Sequence, residues 1–311
     1  MTGSMSAPLS ANTRGALLMM LAMLAFVLND ACMKLLADEL PLFQAIFLRG
    51  LAVGAVFLPL AWRLGALRLP DLPRDRRLLL WRSAAEVAAA WLFLSALFNM
   101  PLANATAILQ SLPLAMTVAG ALVLGERVGP LRWSAVAVGF LGVLLIVQPG
   151  ADGFNVYSLH ALGSVAAVTL RDVVTRQMSP ALPSLTVASA TALTVTLAFG
   201  LLALVPGLSG AWVRPSAQGW GLLALAAAFL VAGYLLAVMM MRAGEVSFIA
   251  PFRYTGLLWA LLLGVLLWGD WPDLLTLMGA ALVVAAGSFA LWRGARRGSA
   301  AASQPPADPS R

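Results

Sequence analysis

In 311 residues the chain has one cysteine, one histidine and one lysine, and only 11% of its residues are charged. With Cys32 alone, an internal disulfide and a thiolate metal cluster are both excluded. With His160 alone, paired-histidine metal sites are excluded too, and this residue reads as an interfacial side chain at a segment start. No GxxxxGK stretch followed by Ser or Thr is present, so nothing supplies a phosphate-binding loop for ATP. Hydrolytic chemistry in lipid needs a nucleophile–base pair, paired aspartates or a metal. The spans offer none of these, so no catalytic residue, cofactor or metal is assigned and the enzyme reading is the weakest.

What is present is hydrocarbon. Hydrophobic residues make up 61% of the chain, and its mean hydropathy is +0.90, whereas soluble domains carry about 25% charged residues. Lipid must therefore solvate most of the surface. Nineteen of the 20 basic residues are arginine, and most lie between apolar runs. That is a pattern of topology signals and not of a phosphate-binding groove, so no nucleic-acid partner is expected.

A window of about 20 apolar residues finds spans near 15–36, 42–62, 79–99, 103–124, 132–149, 157–178, 184–205, 217–241, 246–268 and 273–292. The first is too long for a signal-peptide core. With the N-terminus cytoplasmic, fourteen arginines fall in inward loops: Arg14, Arg63, Arg68, Arg74, Arg76, Arg77, Arg82, Arg127, Arg132, Arg176, Arg242, Arg293, Arg296 and Arg297. Only Arg214 falls outside, with Lys34 at a helix end. This positive-inside bias fits ten spans with both termini cytoplasmic.

The two halves repeat. At a shift of 142, LNDACMKLLADELP (28–41) overlies LRDVVTRQMSPALP (170–183), so Asp30 meets Asp172 and Lys34 meets Arg176. At a shift of 144, LGERV (124–128) overlies WGDWP (268–272), so Gly125 meets Gly269 and Glu126 meets Asp270. Five spans is an odd number, so the second half is inserted upside down relative to the first. The predicted fold is an all-α integral membrane protein of two inverted five-helix repeats, 14–149 and 150–293, between a disordered N-terminal segment (1–13) and a disordered cytoplasmic tail (294–311).

Ionisable residues within spans mark functions or necessary pairings. Asp30 and Lys34, at i and i+4, are expected to neutralise each other in part. Arg49 lies at the depth of Asp30, its nearest counter-charge. Glu86 stands in SAAEVAAAW, is read as isolated on its own helix, and opposes Arg253, with Asp172 as competitor. These five residues besides Arg253 (Asp30, Lys34, Arg49, Glu86, Asp172) are candidates for gating or coupling, Glu86 as a proton carrier. For Asp30 and Lys34 a packing or gating role carries greater weight than direct contact with substrate or coupling ion. Span 4 carries Asn104, Gln110 and Pro113; span 9 carries Pro251 before Tyr254, which aligns with Gln110. Polar groups and a proline at equivalent places in two halves point to a midplane site. The substrate-binding candidates are Gln110, Asn104, Trp91, Tyr234, Arg253 and Tyr254, although the aromatics are equally able to be packing residues. Trp62, Trp81, Trp133, Trp212, Trp220, Trp268, Trp271 and Trp292 read as an interfacial belt. Gly120, Gly139 and Gly264 are expected at close helix contacts.

These features together resemble the ten-helix EamA-type transporters of the drug/metabolite transporter superfamily, over about 14–293. The resemblance rests on FLRG (47–50), ANATAILQSLPL (103–114), LGERV (124–128), Gly139 and Gly142 in GFLGVLL, and APFRYTGLLWALLLGVLLWGD (250–270). The second half departs in ending its motif on Asp270, not Glu. Span 1's NDACMKLL is similar to a subgroup that includes S-adenosylmethionine and riboflavin carriers. The resemblance implies spans 3, 4, 8 and 9 around a central cavity, in a bacterial inner membrane. The expected function is secondary transport of a small polar or zwitterionic organic metabolite by alternating access, as a monomer or homodimer in contact only with solute and lipid bilayer. A lipid flippase or structural membrane partner is the alternative.

Overall fold

A computed structural model describes residues 11–302 apart from 64, 66–71, 127, 150–154, 180–181, 206, 209 and 242–245. Arg68, Arg127 and Arg242 lie outside the described residues, as do the side chains of Arg293, Arg296 and Arg297. The described residues are helical throughout their regular structure: α1 (Ala11–Leu35), α2 (Leu42–Arg63), α3 (Pro73–Asn99), α4 (Leu102–Leu109), α5 (Leu112–Leu122), α6 (Pro130–Val147), α7 (Tyr157–Arg176), α8 (Ser184–Ala203), α9 (Ala217–Met241), α10 (Val246–Ile249), α11 (Thr255–Trp268) and α12 (Leu274–Ala302). Span 4 is the broken pair α4 and α5. Span 9 is α10, a 3-10 turn at Ala250–Tyr254, and α11. Among the described residues nine of the ten spans are long and apolar enough to cross a membrane. The tenth, α7, carries His160, Arg171, Asp172 and Arg176 and packs along α3.

Three ends differ from the expected spans. α1 starts at Ala11, so residues 11–13 are helical where a disordered segment is expected. α3 starts at Pro73, six residues early, because proline suits the first helical turn and the charged Arg74–Arg77 stretch extends the helix beyond the apolar window. α12 continues to Ala302 through Arg- and Ala-rich sequence, both good helix formers, where a disordered tail is expected.

The packing follows the repeat. α1 lies on α9 as α7 lies on α3, and α2 lies on α9 as α8 lies on α3. Likewise α1 lies on α11 as α7 lies on α5, and three pairs join equivalent spans across the pseudo-axis: α2 with α8, α4 with α11, and α6 with α12. The helix ends repeat as well. Gly125 and Gly269 both sit at φ 68°, the left-handed region in which glycine avoids a Cβ clash and stops a helix. Behind them Glu126 N–H donates to the Gly120 carbonyl at 2.9 Å, and Asp270 N–H to that of Gly264 at 3.2 Å. So Gly120 and Gly264 serve helix ends, and Gly264 makes no tight helix contact: a β-carbon there would lie 3.9 Å from the Asp270 carbonyl. Gly139 does sit in a close contact, against Leu114 of α5.

Lipid gives helices little hydrophobic reason to associate, so small residues and close backbones carry the contact. The closest approach of backbones at a glycine is α6 against α12, where a β-carbon on Gly142 would stand 2.7 Å from the Gly279 carbonyl oxygen. Outside, large apolar side chains such as Leu122, Leu201 and Leu266 face lipid. Seven of the eight belt tryptophans are exposed; Trp268 is not, because it lies beneath Lys34.

Gly142→Ala is expected to destabilise by about 1–3 kcal/mol, the cost of overpacking where backbone cannot yield. Gly221→Ala, with open space around it, should be neutral or slightly stabilising. Thermal melts in detergent compare the two; equal melting temperatures would refute the α6–α12 contact. A second expectation concerns Asp273, which accepts from Thr276 N–H at 2.7 Å at the start of α12 and from Gln148 Nε2 at 2.6 Å at the end of α6. These hydrogen bonds hold its carboxyl below the usual range. Its stabilisation is thus complete above about pH 4 and is lost as pH falls through the lowered value. Asp273→Ala should lower stability by about 1 kcal/mol at pH 7, and the gap from wild type should close in acid; a pH-independent gap would rule out the charged cap.

Candidate functional site

The two helix breaks meet at the centre. In span 4, α4 gives way at Gln110 and Ser111, and Pro113 starts the next helix without needing an N–H partner. In span 9, Pro251 opens the 3-10 turn that carries Arg253 and Tyr254. Gln110 Nε2 donates to the Arg253 carbonyl at 3.2 Å, so each break satisfies part of the other. Of the six buried side-chain polar atoms without a hydrogen-bond partner among the described residues, four belong to these spans: Thr106 Oγ1, Arg253 Nε, the Tyr254 hydroxyl and Trp259 Nε1. Unsatisfied buried groups are rare enough in native proteins to require a reason.

Beside the breaks lies a cavity of about 740 Å³. Its walls are α5 (Leu112, Pro113, Met116, Thr117), α7, Ala250 and Arg253 of the 3-10 turn, and Ala290 and Leu291 of α12. It reaches the face at which α5 and α7 end and α6 begins, with Glu126, Arg132 and Arg176 there. The lining therefore comes from spans 4, 5, 6, 9 and 10; of the expected spans 3, 4, 8 and 9, spans 3 and 8 contribute no lining residue among the described ones. α7 stands between α3 and the cavity, and α9 packs against α1 instead.

Of the eleven residues singled out in the sequence, Arg253 and Asp172 line the cavity. Gln110 is buried and acts as the tie between the breaks. Tyr254 is buried with its hydroxyl pressed against Gly287 of α12. Asn104 lies on α4, away from the cavity walls. Trp91 packs on His160 with ring centroids 5.9 Å apart, and His160 Nδ1 meets Ser95 Oγ at 2.9 Å. Tyr234 sets its ring edge-on to Phe26 at 5.5 Å and Phe57 at 6.4 Å, between α9, α1 and α2.

The charge pairs differ from those expected. Glu86 pairs with Arg171, at 3.1 Å, and not with Arg253. Arg171 also holds Asp172, at 2.8 Å. Nor is Glu86 isolated on its helix: Arg82 is one turn earlier, interacts with it electrostatically, and donates to Thr175 Oγ1 at 3.0 Å and to Thr191. The expected Asp30–Lys34 pair is replaced. Asp30 accepts from Asn29 Nδ2 at 2.9 Å, and Asn29 Oδ1 in turn accepts from Arg49 at 3.2 Å, so an amide mediates the Asp30–Arg49 opposition. Lys34 reaches the end of α3, donating to the carbonyls of Leu97 at 3.2 Å and Met100 at 2.8 Å. Such cation caps suit the unsatisfied carbonyls of a helix C-terminus. Its ammonium sits 5.5 Å above the Trp268 ring, in the field of Asp270.

The residue that reasoning from sequence passed over is Arg171. It falls within the repeat segment LRDVVTRQMSPALP, where an arginine next to an aspartate within a span signals a paired site. Arg132 was counted only as a topology signal.

A ten-span bundle of two five-span halves, with broken helices meeting at a polar cavity, is the architecture of a membrane transporter. The EamA-like transporter family model matches residues 13–148 and 156–292; the chain belongs to this family of multi-pass membrane transporters of small metabolites. It is 29% identical over 301 residues to a riboflavin transporter of Rhizobium johnstonii, covering 91% of this chain and 92% of that one. It is 27% identical over 274 residues to the pseudopaline exporter CntI of Pseudomonas aeruginosa (88% and 94% covered). It is 24% identical over 284 residues to an S-adenosylmethionine uptake transporter of Rickettsia bellii (88% and 91%). A solved crystal structure matches with a TM-score of 0.63 at 20% identity, over 91% of this chain and 98% of that one, a likeness of fold.

Glu86→Gln and Arg171→Gln should each destabilise the protein by about 1–3 kcal/mol, and together by clearly less than the sum, because contacting charges couple. A double-mutant cycle of thermal melts measures this. Additive losses would mean that the pair does not form.

Proposed function

We propose that the protein is a secondary transporter that carries a small polar or zwitterionic organic metabolite by alternating access, with the cavity beside the helix breaks as its binding site. The observation that carries this reading is the unequal treatment of two equivalent ends. Lys34 and Arg176 correspond under the repeat, as do Asp270 and Glu126. At one end Lys34 clasps the carbonyls that end α3, over Trp268, contacts that would hold that end closed. At the other, Arg176 is bound to Glu126 at 3.2 Å with both side chains about half exposed, beside the open cavity. Exchange of these roles between the halves would shut the open end and open the shut one, with Arg176 moving to the end of α9, the counterpart of α3. Inverted repeats supply this second state with no change of fold.

Arginine placement supports cytoplasmic termini, which makes the open end the cytoplasmic one, and the bacterial relatives support an inner-membrane location. One chain holds both halves, so a monomer suffices. Similarity to proteins named as exporters and as uptake transporters leaves the direction to the coupling gradient. Asp30 with Arg49 within the first half, and Glu86 with Arg171 and Asp172 between the halves, serve as struts during the exchange; Gln110 ties the moving breaks.

The test uses Met116→Cys, on the cavity wall, in a Cys32→Ser background reconstituted in vesicles of known orientation. A membrane-impermeant thiol reagent should label it fast from the Arg176 side and slowly from the other. Lys34→Met should raise the slow rate about tenfold, the effect of losing ~1.4 kcal/mol from the latch. Labelling from one side only, whatever residue stands at 34, would overturn alternating access.

A further inference from the structure

The charges around the cavity do not balance. Both of its acids are engaged, Glu126 by Arg176 and Asp172 by Arg171, and Arg171 also holds Glu86. Two guanidinium groups are left over. Arg253 projects from the 3-10 turn that interrupts span 9, and Arg132 from the first turns of α6; both line the cavity. Neither has an ion pair or a side-chain hydrogen bond among the described residues, and the Nε of each is shut off from solvent without an acceptor. An arginine does not escape this by losing its proton. A guanidinium partly shut off from water without a hydrogen-bond partner is costly to keep, and the protein keeps two on the walls of one cavity, Arg253 in the field of Asp172 and Arg132 half-buried near the mouth. Arg253 is held by its backbone as well, since its carbonyl accepts the Gln110 hydrogen bond. Its backbone is therefore held at the helix break, from which its side chain lines the cavity, while Arg132 stands nearer the mouth, where α6 starts.

We propose that the cavity takes its solute by an oxyanion, a carboxylate or phosphate group, which Arg132 meets first and Arg253 holds at the helix break. This rests on reading the cavity as the transport site. The planar fork of arginine matches such groups with two parallel hydrogen bonds, and two arginines in sequence carry the group inwards without leaving it unpaired. A volume of about 740 Å³ is that of a site for an organic molecule and exceeds the needs of a bare ion. The rest of the solute meets the mainly apolar wall of Leu112, Pro113, Met116 and Ala290. The carrier is thus selective for organic acids, and for zwitterions by their acidic end.

The experiment is a melting-temperature titration of the purified full chain in a non-ionic detergent. The acid probes are succinate, L-glutamate, citrate and glycerol 3-phosphate; the controls are succinamide, putrescine, inorganic phosphate and phosphatidylglycerol. A saturable rise is expected with one or more acid probes and none with succinamide or putrescine. Arg253→Gln should weaken that apparent affinity by about tenfold to a hundredfold, as expected for loss of a charged hydrogen bond. Arg253→Lys should do so less, and Arg132→Gln, near the surface, should act even if the Arg253 variants fold poorly. No rise with any acid, an acid response unchanged in both Gln variants, or a rise with putrescine or succinamide alone would overturn the oxyanion site. So would a response to phosphatidylglycerol alone, which would assign the arginines to lipid, or to inorganic phosphate alone, which would mean an adventitious ion only. The cysteine labelling from two sides decides alternating access separately, so the oxyanion site can fail while the transporter reading stands.

Discussion

Within a bilayer no water is at hand for an unpaired backbone group, so a spanning helix can break only where protein or an internal cavity serves the freed groups. This protein breaks two helices and sets the breaks side by side. The hydrogen bond from Gln110 to the Arg253 carbonyl joins them, and the rest of the site depends on that junction. It fixes the backbone of Arg253, brings α5 and the 3-10 turn to one cavity, and lets prolines at 113 and 251 sit where a continuous helix would reject them. The pairing of spans across the pseudo-axis follows the same logic, because each break has its counterpart in the other half as its nearest source of polar groups.

Much of this is written in the sequence at the level of depth. Spans, breaks, the repeat and the glycine–acid helix ends are one-dimensional patterns: hydropathy windows, prolines, and residue matches at constant offset. What they leave open is the rotation of each helix about its axis. Glu86, Arg171 and Arg253 all lie at one depth, so depth gives no means of choosing between the two arginines. The choice was made by α7 lying along α3, which turns Arg171 towards Glu86 and leaves Arg253 facing the cavity. The same is true of Lys34. Its i, i+4 spacing from Asp30 is real, but the end of α3 offers two carbonyls with no helical partner, and they take the ammonium instead. Trp91 and Tyr234 illustrate the point for aromatics: their depth suits a central site, while their helix faces place them on His160 and on Phe26 and Phe57.

The repeat is closely kept where it shapes the backbone and loosely kept where it sets energies. Gly125 and Gly269 share a conformation, and the acids after them share a hydrogen bond to the equivalent glycine one turn and a half back. The side chains at the latches differ. Lys34 has an indole beneath it at Trp268, whereas the residue equivalent to Trp268 in the first half is Leu124, which has no π face to offer Arg176. A cation over a ring with two carbonyl acceptors is worth more than an exposed pair: cation–π contacts run to about 2 kcal/mol when desolvated, exposed salt bridges about 0–1 kcal/mol.

That difference gives the two-state equilibrium a direction. Were the halves identical, the open and shut ends would be interchangeable by symmetry, and neither conformation would be favoured. Replacement of a leucine by a tryptophan, and of an arginine by a lysine, at matched positions stabilises one end shut and leaves the other held only by the half-exposed Arg176–Glu126 pair. If the two ends exchange as proposed, the conformation with the cavity open on the Arg176 side is the one these contacts favour. A solute shifts this balance only by binding the two conformations unequally, and the group best placed to sense the change is Arg253. It sits on the break itself, so any rocking of span 9 against span 4 would move its guanidinium relative to α7 and α12, and with it the strength of the proposed contact to a solute.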